Sequence, residues 1–185
     1  MRVFYRLHQT WRSITSKPQS NDLLEIKSTL SPDLFSLFVQ MQPSEQAHSI
    51  AVYRHLLNQN IQNKDLLQAA LLHDAGKNRH PLGLWERVAV VLGNAFFPDK
   101  VKFWSESNPE GLKKPFVVAQ KHAEWGAELA SQAGASKLTA DLIRHHQDPI
   151  PSVNGLLESV QETPSNKEFT EAELLYLLQR SDNLN

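Results

Sequence analysis

The chain has 185 residues and contains no cysteine. That absence excludes disulfide bonds, zinc sites built from thiolates and catalysis by a thiol nucleophile. No apolar run approaches the roughly 20 residues that a membrane-spanning helix needs. The first residues also lack the apolar core of a secretory signal peptide. We therefore expect a cytoplasmic protein without a transmembrane segment.

An excess of either charge is absent as well. The 19 Lys and Arg residues stand against 20 Asp and Glu residues, for a formal net charge of -1. Such a balance is not typical of proteins that bind polyanions, so we expect no nucleic acid duplex as a partner. Hydrophobic residues make up 41% of the chain, which at this length suffices for one domain with a sizeable core.

Apolar residues recur at helical spacing along nearly the whole chain, and we find no convincing strand pairs, repeats or interdomain linker. Ser31-Pro32-Asp33 is a typical helix start, and Thr170 with Glu173 forms a capping box. The sequence therefore predicts an all-α fold. We expect a single-domain helical bundle over residues 31–185, with N-terminal helices of residues 1–30 packed on it.

The N-terminal segment allows two interpretations. Its apolar residues follow helical spacing (Val3, Phe4, Leu7, Trp11 and Ile14), and its charged residues are all basic (Arg2, Arg6, Arg12 and Lys17). A basic amphipathic helix can lie on a membrane surface. We prefer a helix packed on the domain, because surface helices are commonly amphipathic.

His73 and Asp74 place two types of metal ligand side by side after the helical run of residues 65–72. Gly76 is expected to end that helix, since glycine easily takes the left-handed conformation of a C-cap. This would place His73 and Asp74 on the last turn of a buried helix, with Lys77 just beyond it.

Further potential ligands lie on other predicted helices. Taken singly, His48 and His122 could be ordinary core histidines, and the helix dipole could explain the pair His145-His146. Asp182 could be a solvated residue, although a buried carboxylate there would need a partner such as a metal ion. Their joint occurrence with His73 and Asp74 favours a metal site.

The order of these residues resembles the HD-domain superfamily of metal-dependent phosphohydrolases. The segment from Ala69 to Lys77 is similar to the HDIG motif of that superfamily, with Ala75 where isoleucine is common. The resemblance covers residues 35–185 and implies an HD-domain-like fold. It also implies that His48, His73, Asp74 and Asp182 hold one metal ion. A second ion would be held by the subset His122, His145 and His146, with Asp74 as a bridge.

The resemblance further implies hydrolysis of a small phosphorylated substrate, such as a nucleotide, by metal-activated water. Ligands of this kind suit iron, manganese, zinc or cobalt, and we expect one or two ions. Asp74 and Lys77 are the expected catalytic residues. Lys77 would hold a phosphate oxygen, although a lysine near a helix end is also favoured by the dipole. Arg79, Lys121 and Arg144 are expected to bind substrate because they lie close to the motifs.

Two other functions remain open at this point. One is an HD-type di-iron oxygenase, and the other is a non-catalytic signalling module, since fold does not fix function. Gln147-Asp148-Pro149 follows the histidine pair, and no Gly-Tyr-Pro occurs, which argues against phosphodiesterases of the HD-GYP type. Residues 105–115 and 148–170 are candidate lids, because long polar loops often cover sites.

Overall fold

The computed structural model describes residues 17–149 and 169–184. These residues form nine α-helices and two short 3-10 helices, with no strand among them, which confirms the predicted all-α fold. The helices are α1 (Ser20–Ile26), α2 (Pro32–Val39), α3 (Pro43–Asn58), α4 (Lys64–Leu72), α5 (Leu84–Phe96), α6 (Pro98–Ser105), α7 (Lys114–Gln132), α8 (Lys137–His145) and α9 (Glu171–Leu184). The amphipathic segment before residue 17 and most of the second candidate lid lie outside the described residues, so both stay predictions.

Two helix starts follow the sequence signals. The hydroxyl of Ser31 accepts the backbone N–H of Leu34 at 3.4 Å, with Pro32 as the first residue of α2. At the start of α9, the N–H of Thr170 donates to Glu173 Oε2 at 2.8 Å, and the N–H of Glu173 donates back to the Thr170 hydroxyl at 3.3 Å. Both predicted caps are therefore confirmed.

Helix α4 lies at the centre of the core. Every residue from Leu66 to Leu72 is buried, and the helix packs against α3, α8 and α9. Among these residues Gln68 is polar, and its amide donates to the carbonyl of Thr29 at 2.8 Å. A helix that is apolar on nearly all sides is stable when it is surrounded in this way. The C-terminal end of α4 is therefore buried inside the protein. His73 and Asp74, the next two residues, are 1% and 4% exposed.

The turn after α4 differs from the expected glycine C-cap. His73 caps α4, and Asp74 begins a 3-10 helix, Ala75–Arg79. The glycines with a left-handed φ among the described residues are Gly111 and Gly134, so Gly76 does not end α4 by that conformation. Gly76 is instead needed for contact, because a Cβ there would lie 1.9 Å from the carbonyl oxygen of His122. The turn thus rests directly on α7.

Helices α5 and α6 form the most exposed part of the described bundle. Within α5, Gly93 is the one residue that is fully buried, and the helix contacts α6 and α7. A Cβ at Gly93 would collide with the ring of Phe116, so α5 meets the rest of the protein closely at that point. In the part of the chain that the structure describes, we find no helix with the length and apolar character to cross a membrane.

Candidate metal centre

Four imidazole rings from four helices meet in one buried cluster. Their centroids lie 5.4 Å apart for His48 and His73, 5.1 Å for His73 and His146, and 5.2 Å for His146 and His122. His48 comes from α3 and His122 from α7, whereas His73 and His146 are the C-cap residues of α4 and α8. The packing of α3 and α8 on α4, and of α7 on α8 and on the 3-10 helix after α4, therefore brings together residues that are far apart in the sequence.

Backbone carbonyls fix the orientation of three of these rings. The Nδ1 atom of His73 donates to the carbonyl of Ala70 at 3.0 Å, and that of His146 donates to Ile143 at 2.7 Å. His122 Nδ1 donates to the carbonyl of Val118 at 3.0 Å. A neutral imidazole that donates from Nδ1 keeps its lone pair on Nε2. All three rings can therefore offer Nε2 as a ligand atom.

The carboxylate of Asp74 lies between two groups of histidines. Its Oδ2 is 3.7 Å from His73 Nε2, and its Oδ1 is 3.3 Å from His122 Nε2. The potential ligand atoms of His48, His73 and Asp74 lie within 4.8 Å of one another, and so do those of Asp74, His122 and His146. Asp74 belongs to both groups, as a bridging carboxylate would.

Asp182 joins the first of these groups. Its Oδ1 lies 2.7 Å from His48 Nε2 and 3.5 Å from His73 Nε2. Burial alone would raise the pKa of this carboxyl, but the neighbouring His73 and His48 hold it below its usual range. The side chain is thus available as an anionic ligand on the last helix, rather than a solvated residue near the end of the described chain.

The residues present fit a metal site. The Nε2 atoms of His73 and His122 are both buried and have no hydrogen-bond partner within the described structure. Leaving a buried polar atom unsatisfied costs about 1–3 kcal/mol, and such atoms in a native protein call for an explanation. A metal ion would supply the missing partner. Imidazole and carboxylate donors suit zinc, iron, manganese or cobalt.

The charges of the cluster are consistent with this chemistry. Burial, together with the neighbouring His73 and His122, lowers the pKa of His146 to about 3, so this ring is neutral and ready to coordinate. Burial opposes protonation of His73 too, but Asp74 and Asp182 raise its pKa to about 9. Without metal, His73 therefore carries a proton that balances the two carboxylates.

Lys77 and Arg87 form a cationic side of the site, joined by Glu45. Lys77 Nζ lies 2.7 Å from Asp74 Oδ2 and 3.4 Å from Glu45 Oε2. The other oxygen of Glu45 lies 2.7 Å from Arg87 Nη2. Arg87 also donates to the Ser44 hydroxyl at 3.1 Å. One carboxylate, 6% exposed, thus holds two cations next to the metal ligands.

Sequence reasoning missed Glu45 and Arg87. Glu45 precedes His48 by three residues on the same helix, so the spacing could have placed it on the same face. Nothing local in the sequence identifies Arg87, because its link to Glu45 depends on how α5 packs.

A cavity of about 310 Å³ opens above these residues, near the lower limit for small-molecule sites. Part of its wall is apolar, formed by Leu82, Val90, Val118 and Ala119, and the rest is charged or polar. The lining on that second side is Glu45, His48, Asp74, Lys77, Arg87, His122, His146, Gln147 and Asp182. The potential metal ligands other than His73 therefore face a space that a small anionic molecule can enter.

The structure does not bring three of the expected substrate-binding residues to this cavity. Arg79 pairs with Glu128 at 2.7 Å, and Arg144 pairs with Asp141 at 3.1 Å. Together with Lys121, they are absent from the cavity's described lining. Proximity in sequence was a poor guide here, because neighbouring residues on a helix point in different directions.

The same geometry separates the histidine pair. His146 joins the cluster, whereas His145 lies outside both ligand groups, with its Nδ1 2.7 Å from Asp148 Oδ2 and its side chain 45% exposed. Consecutive residues of a helix point about 100° apart, so two adjacent side chains rarely reach one centre. In this structure the cluster therefore contains His146 and not His145, and metal binding by either residue stays a prediction.

The model of one protein family, the HD domain, matches residues 46–183 of the chain. The chain belongs to the HD-domain family. The match includes every residue of the cluster, from His48 to Asp182. The matching model describes HD domains in general, so the narrower HDIG assignment stays a prediction. No curated protein and no solved structure matches the chain. The arrangement of this HD domain therefore has to be interpreted from its own geometry.

Proposed function

We propose that this HD-domain protein is a metal-dependent phosphohydrolase that cleaves a phosphoester of a small molecule such as a nucleotide. The observation that supports it most is the position of Asp74. Its two oxygens face different histidine groups, and the ammonium of Lys77 lies 2.7 Å from the same carboxylate on the wall of an open cavity. Metal ligands and a phosphate-binding cation thus occupy one small space.

In this proposal, His48, His73, Asp74 and Asp182 hold one ion, and Asp74, His122 and His146 hold a second. Bound metal would polarise a phosphoryl oxygen and lower the pKa of a coordinated water, which supplies a nucleophile near neutral pH. The chain's own contribution is to hold the imidazoles in place through their Nδ1 hydrogen bonds. Outer partners of this kind orient metal ligands and strengthen them as donors.

Lys77 is proposed to bind a phosphoryl oxygen. Burial would lower the pKa of its amine, but Asp74 and Glu45 raise it above the usual value, so the side chain is positively charged at neutral pH. An ammonium group has three N–H donors. Asp74 and Glu45 can engage two of them, which leaves one for the substrate. Placed there, the charge would stabilise the negative charge that develops during phosphoryl transfer.

Glu45 is proposed to position this cation and Arg87 together. Because its two oxygens contact Lys77 and Arg87 separately, the two positive groups are kept apart and both border the cavity. Arg87 also donates to the carbonyl of Leu82 and to the side chain of Gln42, so one N–H of its guanidinium group is left to bind a phosphate oxygen. This assigns substrate binding to Lys77 and Arg87 in place of Arg79, Lys121 and Arg144.

The test is hydrolysis of a panel of mononucleotides and phosphodiesters by protein stripped of metal and reloaded with iron, manganese, zinc or cobalt. We expect phosphate release from the wild type and a loss of at least about 100-fold in Asp74→Ala. His145→Ala is the matched control, since His145 neighbours a proposed ligand without joining the cluster, and it should keep its activity. Equal activity of wild type and Asp74→Ala would show that hydrolysis arises elsewhere.

The same preparations distinguish the oxygenase interpretation. A di-iron oxygenase would consume oxygen with an organic substrate and release no phosphate from any member of the panel. Hydrolysis by zinc-loaded protein would be incompatible with that interpretation, because Zn²⁺ has no redox chemistry and does not support oxygenation. Oxygen uptake without phosphate release would instead overturn the phosphohydrolase proposal.

A further inference from the structure

Helix α5 has two sides with different surroundings. Arg87 and Val90 line the catalytic cavity. Trp85, Leu92 and Phe96 are 81%, 38% and 64% exposed. At 3.6 residues per turn, these three residues and Ala89 lie within about 60° of one another, roughly opposite the cavity-lining side. We call Trp85, Ala89, Leu92 and Phe96 the α5 stripe.

The α5 stripe is unusual for a surface helix. Solvated helices normally place charged or polar residues on their outward side, whereas this stripe consists of two large aromatic residues, a leucine and an alanine. Phe97 and Phe103, 53% and 68% exposed, belong to the N-cap and the body of the neighbouring helix α6, and the ammonium groups of Lys100 and Lys113 lie 5.4 and 5.8 Å from the centres of their rings. Exposed apolar side chains grouped on one side of a helix commonly mark an interaction site.

The spacing of the stripe is symmetric. Its members are separated by four, three and four residues, so the pattern reads the same in both directions about a point between Val90 and Val91. If two copies of α5 pack antiparallel about a twofold axis at that point, Trp85 of one copy lies opposite Phe96 of the other. Ala89 then lies opposite Leu92, so that a small residue receives a large one. Such self-complementarity is what a twofold symmetric interface requires.

We propose that the α5 stripe is the docking surface for a second copy of this chain, packed antiparallel about a twofold axis. The apposed aromatic residues would supply most of the contact, as aromatic residues do in many interfaces. The helix would then be covered on both sides, by the cavity wall within its own chain and by the second copy outside. A dimer of this kind would form whether or not the protein hydrolyses phosphoesters.

Charge favours a second copy over a lipid surface as the occupant. Lys100, Lys102 and Lys113 lie near this region, but Asp99, Glu106 and Glu110 balance them. A helix that binds anionic membranes normally carries a clear excess of basic residues on its polar side. The formal net charge of the whole chain is -1, so two copies repel each other only weakly.

Sedimentation velocity over a range of protein concentrations tests the docking surface. We expect wild-type protein to be dimeric and Leu92→Glu to dimerise at least about 30-fold more weakly, because a charge would be buried at the centre of the interface. Leu24→Glu is the matched control, since Leu24 is 69% exposed on α1 and should not affect the dimer. The helical circular dichroism spectrum and the metal content of Leu92→Glu should equal those of the wild type.

Cysteine cross-linking tests the antiparallel geometry, and the chain has no cysteine of its own to interfere. Trp85→Cys and Phe96→Cys are oxidised separately and as a mixture. The antiparallel arrangement predicts disulfide-linked dimers mainly in the mixture. In either variant alone the two thiols would be about 16 Å apart along the helix axis, beyond the reach of a disulfide.

Three results would overturn the proposal. The first is a wild-type protein that stays monomeric up to its solubility limit, and the second is a dimer that Leu92→Glu leaves intact. The third is a monomer that cosediments with phosphatidylcholine–phosphatidylserine vesicles and loses that binding in Leu92→Glu, which would assign the stripe to a lipid surface. Cross-linking of each single variant as efficient as that of the mixture would exclude the antiparallel arrangement.

Discussion

Three of the histidines around Asp74 are oriented by backbone carbonyls. His73, His122 and His146 each donate from Nδ1 to a carbonyl one turn earlier in the chain. The rings therefore keep their orientation without a metal ion, and their Nε2 atoms already point into the cluster before binding. Holding ligands in place beforehand lowers the ordering that binding requires. At the scale of single residues, the site is organised to accept an ion.

The protonation of His73 leads to the first prediction. In metal-free protein its pKa is raised to about 9, so the ring is protonated near pH 7 and must lose that proton to coordinate. His146 is already neutral and Asp74 already ionised, since the pKa of Asp74 is held below its usual range by Lys77 and His73 despite its burial. We expect metal binding near pH 7 to release the His73 proton, and metal affinity to rise as the pH approaches 9.

Titration calorimetry in buffers of different ionisation enthalpy counts the protons released. The count should fall as the starting pH is raised towards 9, because His73 is then increasingly neutral before binding. A proton count that does not depend on pH in this interval would show that the carboxylates do not keep His73 protonated.

Glu45 supports a second prediction at this scale. Replacing it with glutamine removes the negative charge shared by Lys77 and Arg87 and leaves the proposed metal ligands untouched. We expect kcat/KM to fall about 10- to 100-fold, which corresponds to the roughly 1.5–3 kcal/mol of a charged hydrogen bond, with metal content unchanged. Glu128→Gln, which loses the partner of Arg79 away from the cavity, should leave kcat/KM as it was.

Steady-state kinetics and elemental analysis of the two variants together decide the role of Glu45. Loss of metal from Glu45→Gln would mean that the residue supports the metal centre itself. If Glu45→Gln and Glu128→Gln changed kcat/KM to the same extent, Glu45 and Arg87 would not belong to the substrate-binding site.

At the scale of elements, the decisive contact joins the 3-10 helix Ala75–Arg79 to α7. Gly76 faces the carbonyl of His122, and Gly126 on α7 faces the backbone N–H of Gly76, with 3.2 Å between that nitrogen and a Cβ placed on Gly126. Two glycines therefore allow the backbones to meet. The approach brings His73 and Asp74 on one side next to His122 on the other, as a shared metal site needs.

Gly76→Ala should accordingly destabilise the protein. The added Cβ would lie 1.9 Å from the carbonyl oxygen of His122, and neither backbone can move without separating ligands of the cluster. Overpacking of this kind typically costs about 1–3 kcal/mol, and we expect at least that loss in the free energy of unfolding, with weaker metal binding. Urea denaturation with and without metal measures both effects.

Gly83→Ala is the matched control, because a Cβ there would meet its nearest neighbour, Glu86 Oε2, at an ordinary 3.6 Å. Its free energy of unfolding should change by less than that of Gly76→Ala. Comparable stability of Gly76→Ala and the wild type would show that the contact with α7 is looser than described.

Elements that carry local signals are the ones that could be predicted. The caps at Ser31 and Thr170 involve residues three positions apart, so the sequence alone identifies them, and α4 follows from an apolar run that only Gln68 interrupts. Which side of α5 faces inward could not be predicted, because the helix is apolar on more than one side. The same holds for the close approach at Gly76, which depends on α7, nearly 50 residues further along the chain.

At the scale of the whole molecule, the cluster of potential metal ligands draws its residues from helices along most of the chain. Helices α3, α4, α7, α8 and α9 each contribute a residue to the cluster; α3, α8 and α9 pack against the central helix α4, and α7 packs against α8 and the 3-10 helix that follows α4. The order of the histidines and Asp182 could be recognised in the sequence, which identified the cluster members as a set. The separation of His146 from His145 and the pairing of Glu45 with Arg87 could not, since both depend on where helices end and how they pack.

The central claim is that Asp74 is shared by two ion sites, and metal stoichiometry tests it most directly. Elemental analysis of protein saturated with one metal and then freed of excess should give two ions per chain for the wild type and for His145→Ala. We predict about one ion in His146→Ala, which leaves the site of His48, His73 and Asp182, and none held tightly in Asp74→Ala. A wild-type protein that binds no metal under any condition, or a loss in His145→Ala equal to that in His146→Ala, would contradict the proposed centre.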